Sequence, residues 1–145
     1  MQAIVFCGLQ AAGKSTFYKA RFADTHVRIN LDMLRTRARE RCLLQACLSA
    51  KLPFVVDNTN PTRDDRRRYL APAREAGFET LAYFFDVPLP DVIERNARRS
   101  DKAPIPTAGI RGTANRIEMP RPAEGIDRVY VVTIDPARGF MVHAA

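Results

Sequence analysis

One short run of residues constrains this chain more than any other. Gly8-Leu-Gln-Ala-Ala-Gly-Lys-Ser15 directly follows the apolar segment Gln2–Cys7 and fits the pattern of a glycine, four residues, then Gly-Lys-Ser. Gly8 allows a tight turn out of a strand, and Gly13 allows the backbone to come close to an anion. The next segment, from Thr16 to Ala23, is compatible with a helix. Because backbone N–H groups that lead into a helix N-terminus bind phosphate, the run predicts a nucleoside-triphosphate site.

Two residues at the end of this loop carry the predicted chemistry. Lys14 would reach the β- and γ-phosphates of the nucleotide, and Ser15 would ligate Mg²⁺. The predicted nucleotide-binding residues of the loop are Gly8, Ala11, Ala12, Gly13, Lys14, Ser15 and Thr16. A strand-to-helix turn that contains glycine and a solvated lysine is the structural alternative.

Strand-like and helix-like segments alternate along the chain. Strands are predicted at Ile4–Cys7, His26–Ile29, Pro53–Val56, Leu81–Phe85 and Arg128–Ile134. Helices are predicted at Lys14–Ala23, Asp32–Ala50 (one long or two short helices), Thr62–Ala76, Leu89–Arg99 and around Thr107–Ile117. This alternation predicts a three-layer α/β fold, with a five-stranded parallel sheet and helices on both faces. The tail from Asp135 shows no clear element. The irregular stretch 100–125 favours a short mobile lid at about 98–120.

Length and composition limit the class of protein. A chain of 145 residues suits one domain over 1–145. No apolar run reaches the length of a membrane span, so we expect no membrane partner. The three cysteines form neither a disulfide framework nor a metal-binding spacing, and we expect a cytoplasmic protein. The net charge of +7 is compatible with a nucleic-acid partner, although an excess of arginine can also reflect genomic composition.

Polar residues follow the predicted strands at the edge where parallel sheets bind ligands. Acidic residues come after three of the strands, at Asp32, Asp57 and Asp86. Asp57 is a candidate Mg²⁺ ligand beside Ser15. Thr59 and Asn60 continue the same turn with more polar side chains than a turn requires. A turn-forming Asp-Asn pair is the alternative explanation.

Asp32 and Arg35 are spaced so that they share one face of a helix. A carboxylate at this position can accept a proton from an attacking hydroxyl, and an arginine can hold a phosphate with two hydrogen bonds. A helix N-cap followed by a surface ion pair would explain the same two residues.

Two groups of arginines lie on predicted helices. Arg95, Arg98 and Arg99 close a helix just before the irregular stretch. An arginine at this place can neutralise the charge of a transferring phosphoryl group, or it can simply complement the helix dipole. We interpret the second group, Arg63, Arg66, Arg67 and Arg68, as a solvated helix face that could also follow a nucleic-acid backbone.

Taken together, these motifs resemble the kinase domain of polynucleotide 5′-hydroxyl kinases, within the P-loop kinase superfamily. The matching blocks follow one another along almost the whole chain, at Gly8–Thr16, Ile29–Arg35, Val56–Pro61, Phe85–Pro88 and Arg95–Arg99. The loop is shared by many kinases, whereas the Asn-x-Asp-x-x-Arg, Asp-Asn-Thr-Asn and Arg-Asn-x-x-Arg blocks are more specific.

The resemblance implies an enzyme that uses ATP and Mg²⁺ and transfers the γ-phosphate to the 5′-OH end of DNA or RNA. Asp32 would be the general base, and Arg35 would hold the phosphate of the acceptor. The implied catalytic residues are Asp32, Lys14, Arg35 and Arg99. The implied nucleotide-binding residues outside the loop are Arg95 and Arg99. The implied metal ligands are Ser15 and Asp57, and the implied acceptor-binding residues are Asp32, Arg35, Thr59 and Asn60.

The chain also departs from this family, which leaves other functions open. Leu31 stands where relatives often have a basic residue, and the chain has no paired-Asp phosphatase motif. One alternative is a P-loop kinase of a small hydroxylated metabolite or antibiotic. Others are a nucleotide-binding NTPase without a phosphoacceptor and a nucleic-acid-binding module with a vestigial loop. Nothing in the sequence marks an oligomer interface.

Overall fold

Six strands form one sheet at the centre of the protein, and a computed structural model describes all of residues 1–145. The strands are β1 Gln2–Cys7, β2 Val27–Ile29, β3 Phe54–Val56, β4 Glu79–Phe85, β5 Arg128–Asp135 and β6 Gly139–Ala144. The helices are α1 Lys14–Arg21, α2 Leu31–Leu34, α3 Arg37–Ala50, α4 Arg63–Glu75, α5 Leu89–Ala97 and α6 Thr107–Arg116, and a 3₁₀ turn spans Pro122–Glu124. No helix is both long enough and apolar enough to cross a membrane.

The sheet has the strand order β2-β3-β1-β4-β5-β6, with β1 at its centre. Strands β1 to β5 are parallel, and β6 is antiparallel to β5. Side chains alternate between the two faces of β1, so Ala3 and Val5 join one apolar cluster while Ile4 and Phe6 join the other. The first cluster packs under α3 and α4, and the second under α1, α5 and α6. The predicted three-layer α/β fold is therefore confirmed.

The sixth strand corrects the prediction of a five-stranded sheet that ends at Ile134. Asp135 Oδ1 accepts hydrogen bonds from the backbone N–H groups of Ala137 and Arg138, at 2.8 and 2.9 Å. Gly139 then has a φ of +78°, which lets the chain reverse and pair with β5. The central residues Phe140, Met141 and Val142 are apolar but only half-buried, and the ends of β6 are exposed, in contrast to the buried inner strands.

The predicted segment Asp32–Ala50 forms two helices rather than one. The break lies at Arg35, whose φ of +78° is incompatible with a continuous helix. Thr36 then caps α3, because its hydroxyl accepts a hydrogen bond from the backbone N–H of Arg39. The short helix α2 is thereby a separate helix that follows β2, and its Leu34 packs against the same apolar cluster as α3.

Helix α4 begins with the predicted cap but does not present a wholly solvated arginine face. Thr62 and Asp65 form a reciprocal capping box at its N-terminus. Arg66 is fully buried, and its Nε and Nη2 atoms contact Glu124 at 2.8 and 2.9 Å. The interpretation of Arg66 as a solvated residue is therefore wrong. An arginine is buried here because a carboxylate from the 3₁₀ turn neutralises it.

Candidate active site

A wide cleft of about 1130 Å³ opens at the carboxyl ends of the parallel strands. Its loop half comprises Arg28, Asp57, Arg95 and the lining residues of the loop and the start of α1, which are Gln10, Ala11, Gly13, Lys14, Ser15, Thr16 and Lys19. Its α2 half comprises residues 31–33, Arg37, residues 58–61 and Arg68. Ten Lys and Arg side chains line the cleft against four carboxylates, so its surface strongly favours anions.

The loop after β1 has the geometry of a phosphate-binding loop. A Cβ atom at Gly8 would lie 2.8 Å from Cβ of Phe85, so only glycine fits against β4 there. Gly13 has a φ of +94° and is the N-cap of α1. No side chain caps this helix and its first turn holds no acidic residue, so its N-terminal N–H groups are free to bind an anion.

Lys14 is buried within the loop. Its side chain donates hydrogen bonds to the carbonyl oxygens of Gly8 and Leu9, at 2.9 and 2.5 Å. Burial lowers the pKa of Lys14 from its usual 10.5 to about 8, although the negative charge of Asp57 opposes the shift. Lys14 is therefore a desolvated cation whose charge is available to an incoming phosphate.

Ser15 and Asp57 meet at the end of β3, as the sequence predicts. Ser15 Oγ donates to Asp57 Oδ2 at 3.0 Å, and the Asp57 side chain is 1% exposed. A hydroxyl beside a buried carboxylate is a set of oxygen ligands that suits Mg²⁺, so Ser15 and Asp57 fit their predicted role as metal ligands. Arg28 approaches the same pair, with its Nε 2.9 Å from Asp57 Oδ2 and its Nη2 2.9 Å from Ser15 Oγ.

Asp32 lies in the first turn of α2 and lines the same cleft as this buried pair. Its side chain is 80% exposed, and its only ion pair is with Lys102, at 3.4 Å. Asn30 fixes the helix beneath it by accepting a hydrogen bond from the backbone N–H of Met33 and by donating one to the carbonyl of Asp57. Asp32 is thus a solvated carboxylate on an anchored backbone, where it can contact a molecule that enters the cleft.

A buried polar network supports the α2 half from below. Glu40 is 1% exposed and accepts hydrogen bonds from the Tyr69 hydroxyl at 3.0 Å and from Arg37 Nη1 at 2.8 Å. Asn58 joins this network through Glu40 and also accepts a hydrogen bond from the backbone N–H of Leu31. The network links α3, α4 and the turn after β3 to the start of α2.

Residues of α5 and the following segment border the loop half. Arg95 Nε donates to the carbonyl of Ala11 at 2.9 Å. Asn96 holds the segment after α5 through two hydrogen bonds with the backbone of Ile105. Gln10 Nε2 donates to Thr113 Oγ1 at 3.0 Å, so helix α6 of the predicted lid contacts the phosphate-binding loop directly.

The structure brings most of the predicted site residues into the cleft and leaves a few outside it. The predicted residues that line the cleft are Ala11, Gly13, Lys14, Ser15, Thr16, Asp32, Asp57, Thr59, Asn60, Arg95 and Arg99. Gly8, Ala12 and Arg35 are not among its lining residues, and Asp86 is exposed elsewhere. The Asn60 side chain donates to the carbonyl of Phe6, which gives it a structural contact. The catalytic and binding roles of all these residues stay predictions.

Arg28 is the main residue of the site that sequence reasoning missed. A charged residue within a short buried strand is unusual, because burial of an unpaired charge is costly. Arg28 also precedes the buried Ile29, so its side chain must point to the other face of the sheet, where α1 lies. These two signals together would have placed it near Ser15.

Comparisons with known proteins identify a family and several relatives of this chain. The model of a family described as an AAA domain matches residues 36–120, which begin after the phosphate-binding loop and span more than half of the chain. The bifunctional polynucleotide phosphatase/kinase of Schizosaccharomyces pombe is 26% identical over 144 residues, covering 89% of this chain and 33% of that protein. The L-seryl-tRNA(Sec) kinase of Methanococcus maripaludis is 26% identical over 136 residues, covering 81% of this chain and 52% of that protein.

A solved structure supports the fold. The crystal structure of a gluconokinase from Sinorhizobium meliloti superposes with a TM-score of 0.63 and 21% identity, covering 91% of this chain and 82% of that one. This chain spans about a third and a half, respectively, of the two curated relatives. The chain belongs to the AAA domain family, as a P-loop protein of the kinase type.

Proposed function

We propose that this protein transfers the γ-phosphate of ATP to the 5′-hydroxyl at an end of DNA or RNA. The observation that carries the proposal is the exposed carboxylate of Asp32, which lies in an open, strongly basic cleft together with the phosphate-binding loop. The end of a long polyanion needs an open and positively charged site. One curated relative, the bifunctional polynucleotide phosphatase/kinase, supports a polynucleotide acceptor, whereas the other is named for L-seryl-tRNA.

In the proposed reaction, the acceptor oxygen forms a bond to the γ-phosphorus while the bond from that phosphorus to the β,γ-bridging oxygen breaks. Asp32 accepts the proton that the 5′-hydroxyl loses. Lys14 and the N-terminus of α1 hold the β- and γ-phosphates, and Arg95 and Arg99 stabilise the charge that develops on them. Mg²⁺, held by Ser15 and Asp57, would supply further charge neutralisation. Most of the rate enhancement would come from positioning and electrostatics.

The direct test is transfer of label from γ-labelled ATP to a 5′-hydroxyl oligonucleotide in the presence of Mg²⁺. We expect label on the DNA or RNA strand, none on the same strand carrying a 5′-phosphate, and a loss of about 10²- to 10⁴-fold in kcat for Asp32→Asn. Asp24→Asn, an exposed carboxylate outside the cleft, is the matched control and should behave as the wild type.

Two results would contradict the proposal. Label transfer at the wild-type rate in Asp32→Asn would mean that Asp32 is not the general base. ATP binding or hydrolysis without label on either nucleic acid would exclude the polynucleotide acceptor. Small hydroxylated metabolites, the acceptor class of the second candidate function, would then be tested with the same labelled ATP.

A further inference from the structure

Arg28 makes contacts that the proposed reaction does not account for. It is the central residue of β2, and its guanidinium lies 2.8 to 2.9 Å from Asp57 Oδ2 through two nitrogen atoms. One of these nitrogens also donates to Ser15 Oγ at 2.9 Å. A single cation therefore bridges the two side chains that are predicted to bind Mg²⁺.

The surrounding structure holds this bridge in place. The backbone N–H of Asp57 donates to the carbonyl of Ile29 at 2.8 Å, which fixes the end of β3 beside β2. The Arg28 guanidinium also lies 5.7 Å from the centre of the Tyr18 ring, a distance at which a cation is attracted to the ring face. The Arg28 side chain is only 21% exposed, so its position is fixed by the residues that pack around it.

The bridge conflicts with metal binding at the same oxygens. Ser15 Oγ donates its proton to Asp57 and accepts from Arg28, so one of the two lone pairs that a cation could use faces the guanidinium. A divalent ion there would also lie close to a positive charge in a partly desolvated place, where repulsion is strong.

We propose that Arg28 is a positioning residue that sets the Mg²⁺ requirement of nucleotide binding. It holds Ser15 and Asp57 together, and it moves away from Ser15 Oγ when Mg²⁺ binds with the nucleotide. In the absence of Mg²⁺ its charge attracts the phosphates directly. The inference rests on the proposed nucleotide and Mg²⁺ site and is independent of the acceptor.

The test measures ADP binding by titration calorimetry, in EDTA and at increasing Mg²⁺ concentration, without any acceptor. For Arg28→Gln we expect the Mg²⁺ concentration at half-maximal binding to fall about fivefold, while ADP affinity in EDTA also falls about fivefold. A purely structural role would weaken binding in both conditions alike. Arg41→Gln, an exposed arginine of α3 outside the cleft, is the matched control for net charge and should match the wild type.

Arg28→Lys keeps the charge but lacks the planar guanidinium that contacts Asp57 through two nitrogen atoms, so its Mg²⁺ requirement should lie between those of the wild type and Arg28→Gln. Thermal melting shows whether each variant folds, and Arg28→Lys carries the test if Arg28→Gln does not. An unchanged or increased Mg²⁺ requirement overturns the role of Arg28 alone. Wild-type protein that binds no ADP in either condition overturns the proposed nucleotide site and this inference with it.

Discussion

The two halves of the cleft are built in different ways. In the loop half, the Asp57 side chain is 1% exposed and Lys14 is 7% exposed, and both have several partners within the protein. In the α2 half, the Asp32 side chain is 80% exposed and has one exposed lysine as its partner. The loop half is therefore preorganised by the fold, whereas the carboxylate of the α2 half depends on the acceptor for its final geometry.

This difference separates what each half can contribute. Buried polar groups with fixed partners act strongly because water is excluded and little reorganisation is needed. An exposed carboxylate on a fixed backbone can receive many acceptors, because its side chain adjusts to each. We infer that nucleotide binding is a property of the shared fold, while the choice of acceptor depends on the exposed half.

The largest expected effect on nucleotide binding comes from removing the charge at the centre of the loop half. Lys14→Met should lower both nucleotide affinity and kcat, with a loss of about 10²- to 10³-fold in kcat, because a desolvated phosphate contact disappears. Asp32→Asn, in contrast, should leave ADP affinity within about twofold of wild type while it lowers turnover. Calorimetric ADP binding and label transfer measure the two quantities. Equal losses of ADP affinity in the two variants would contradict the separation into halves.

Breaking the buried ion pair beneath the turn that follows Asp57 should have nearly as large an effect. Arg66 donates to the carbonyl oxygens of Asn60 and Pro61, in the turn that follows Asp57, and pairs with Glu124. Glu124→Gln leaves a buried guanidinium without its counter-charge, so we expect a loss of about 3 kcal/mol in the free energy of unfolding, measured by urea denaturation.

The exposed ion pair of Glu79 and Arg128 is the matched control for this prediction. Glu79→Gln removes a carboxylate from a pair at 3.4 Å whose side chains are 37% and 63% exposed. Its expected cost is below about 1 kcal/mol, because solvent screens such pairs. Similar losses for the two variants would mean that Arg66 and Glu124 do not form an essential frame.

A contrast between local and long-range contacts explains how much of the structure could be predicted from the sequence. Gly8, Gly13, Lys14 and Ser15 stand in a fixed local spacing, and local spacing determines the geometry of a strand-to-helix turn. The four inner strands could be predicted as well, since their apolar runs mark buried parallel strands. These features could be predicted because neighbouring residues in the chain determine them.

Features that depend on distant pairing could not be predicted in the same way. The bridge from Arg28 to Asp57 joins positions 29 residues apart, and the ion pair from Arg66 to Glu124 joins positions 58 apart. Strand β6 is recognisable only once Gly139 turns the chain back onto β5. The sequence spacing predicts that Asp32 and Arg35 share one face of a helix. The positive φ of Arg35 instead breaks the helix there, and Arg35 is not among the residues that line the cleft.

The pH dependence of nucleotide binding gives a smaller and more specific effect. The pKa of Lys14 is lowered to about 8 by burial, so Lys14 loses its charge above that pH. ADP affinity should therefore be flat below pH 8 and fall up to tenfold per pH unit above it, since the phosphates bind the charged form. The stability of the ADP-free protein depends on pH in the opposite direction. Between about pH 8 and 10.5 Lys14 binds fewer protons in the folded state than in the unfolded state. Its contribution to the free energy of unfolding therefore rises with pH.

Titration calorimetry from pH 7 to 9.5 would check this prediction, with Lys14→Met as the reference. The variant has no titrating group at this position, so its weak binding should not show the fall above pH 8. A wild-type profile that stays flat to pH 9.5 would mean that Lys14 keeps its proton. The negative charge of Asp57 would then fully offset the effect of burial on the pKa of Lys14.

The smallest expected effect concerns the backbone of Arg35, at the edge of the α2 half. Arg35 has a φ of +78° and a ψ of −36°, a strained conformation for a residue with a side chain. Such strain is found where function requires a backbone direction that stability alone would not select. Glycine adopts positive φ without penalty, so Arg35→Gly should be more stable than Arg35→Ala by about 1 kcal/mol in urea denaturation.

The same pair of variants tests the predicted role of the Arg35 side chain. Both variants lack the guanidinium, so both should raise the KM for the oligonucleotide by the same few-fold factor while kcat for the bound strand changes little. The stability difference would then belong to the backbone and the KM change to the side chain. If KM stays at the wild-type value in both, Arg35 serves only to end α2, and the acceptor's phosphate must be held by the arginines that do line the cleft, of which Arg37 and Arg68 lie in the α2 half.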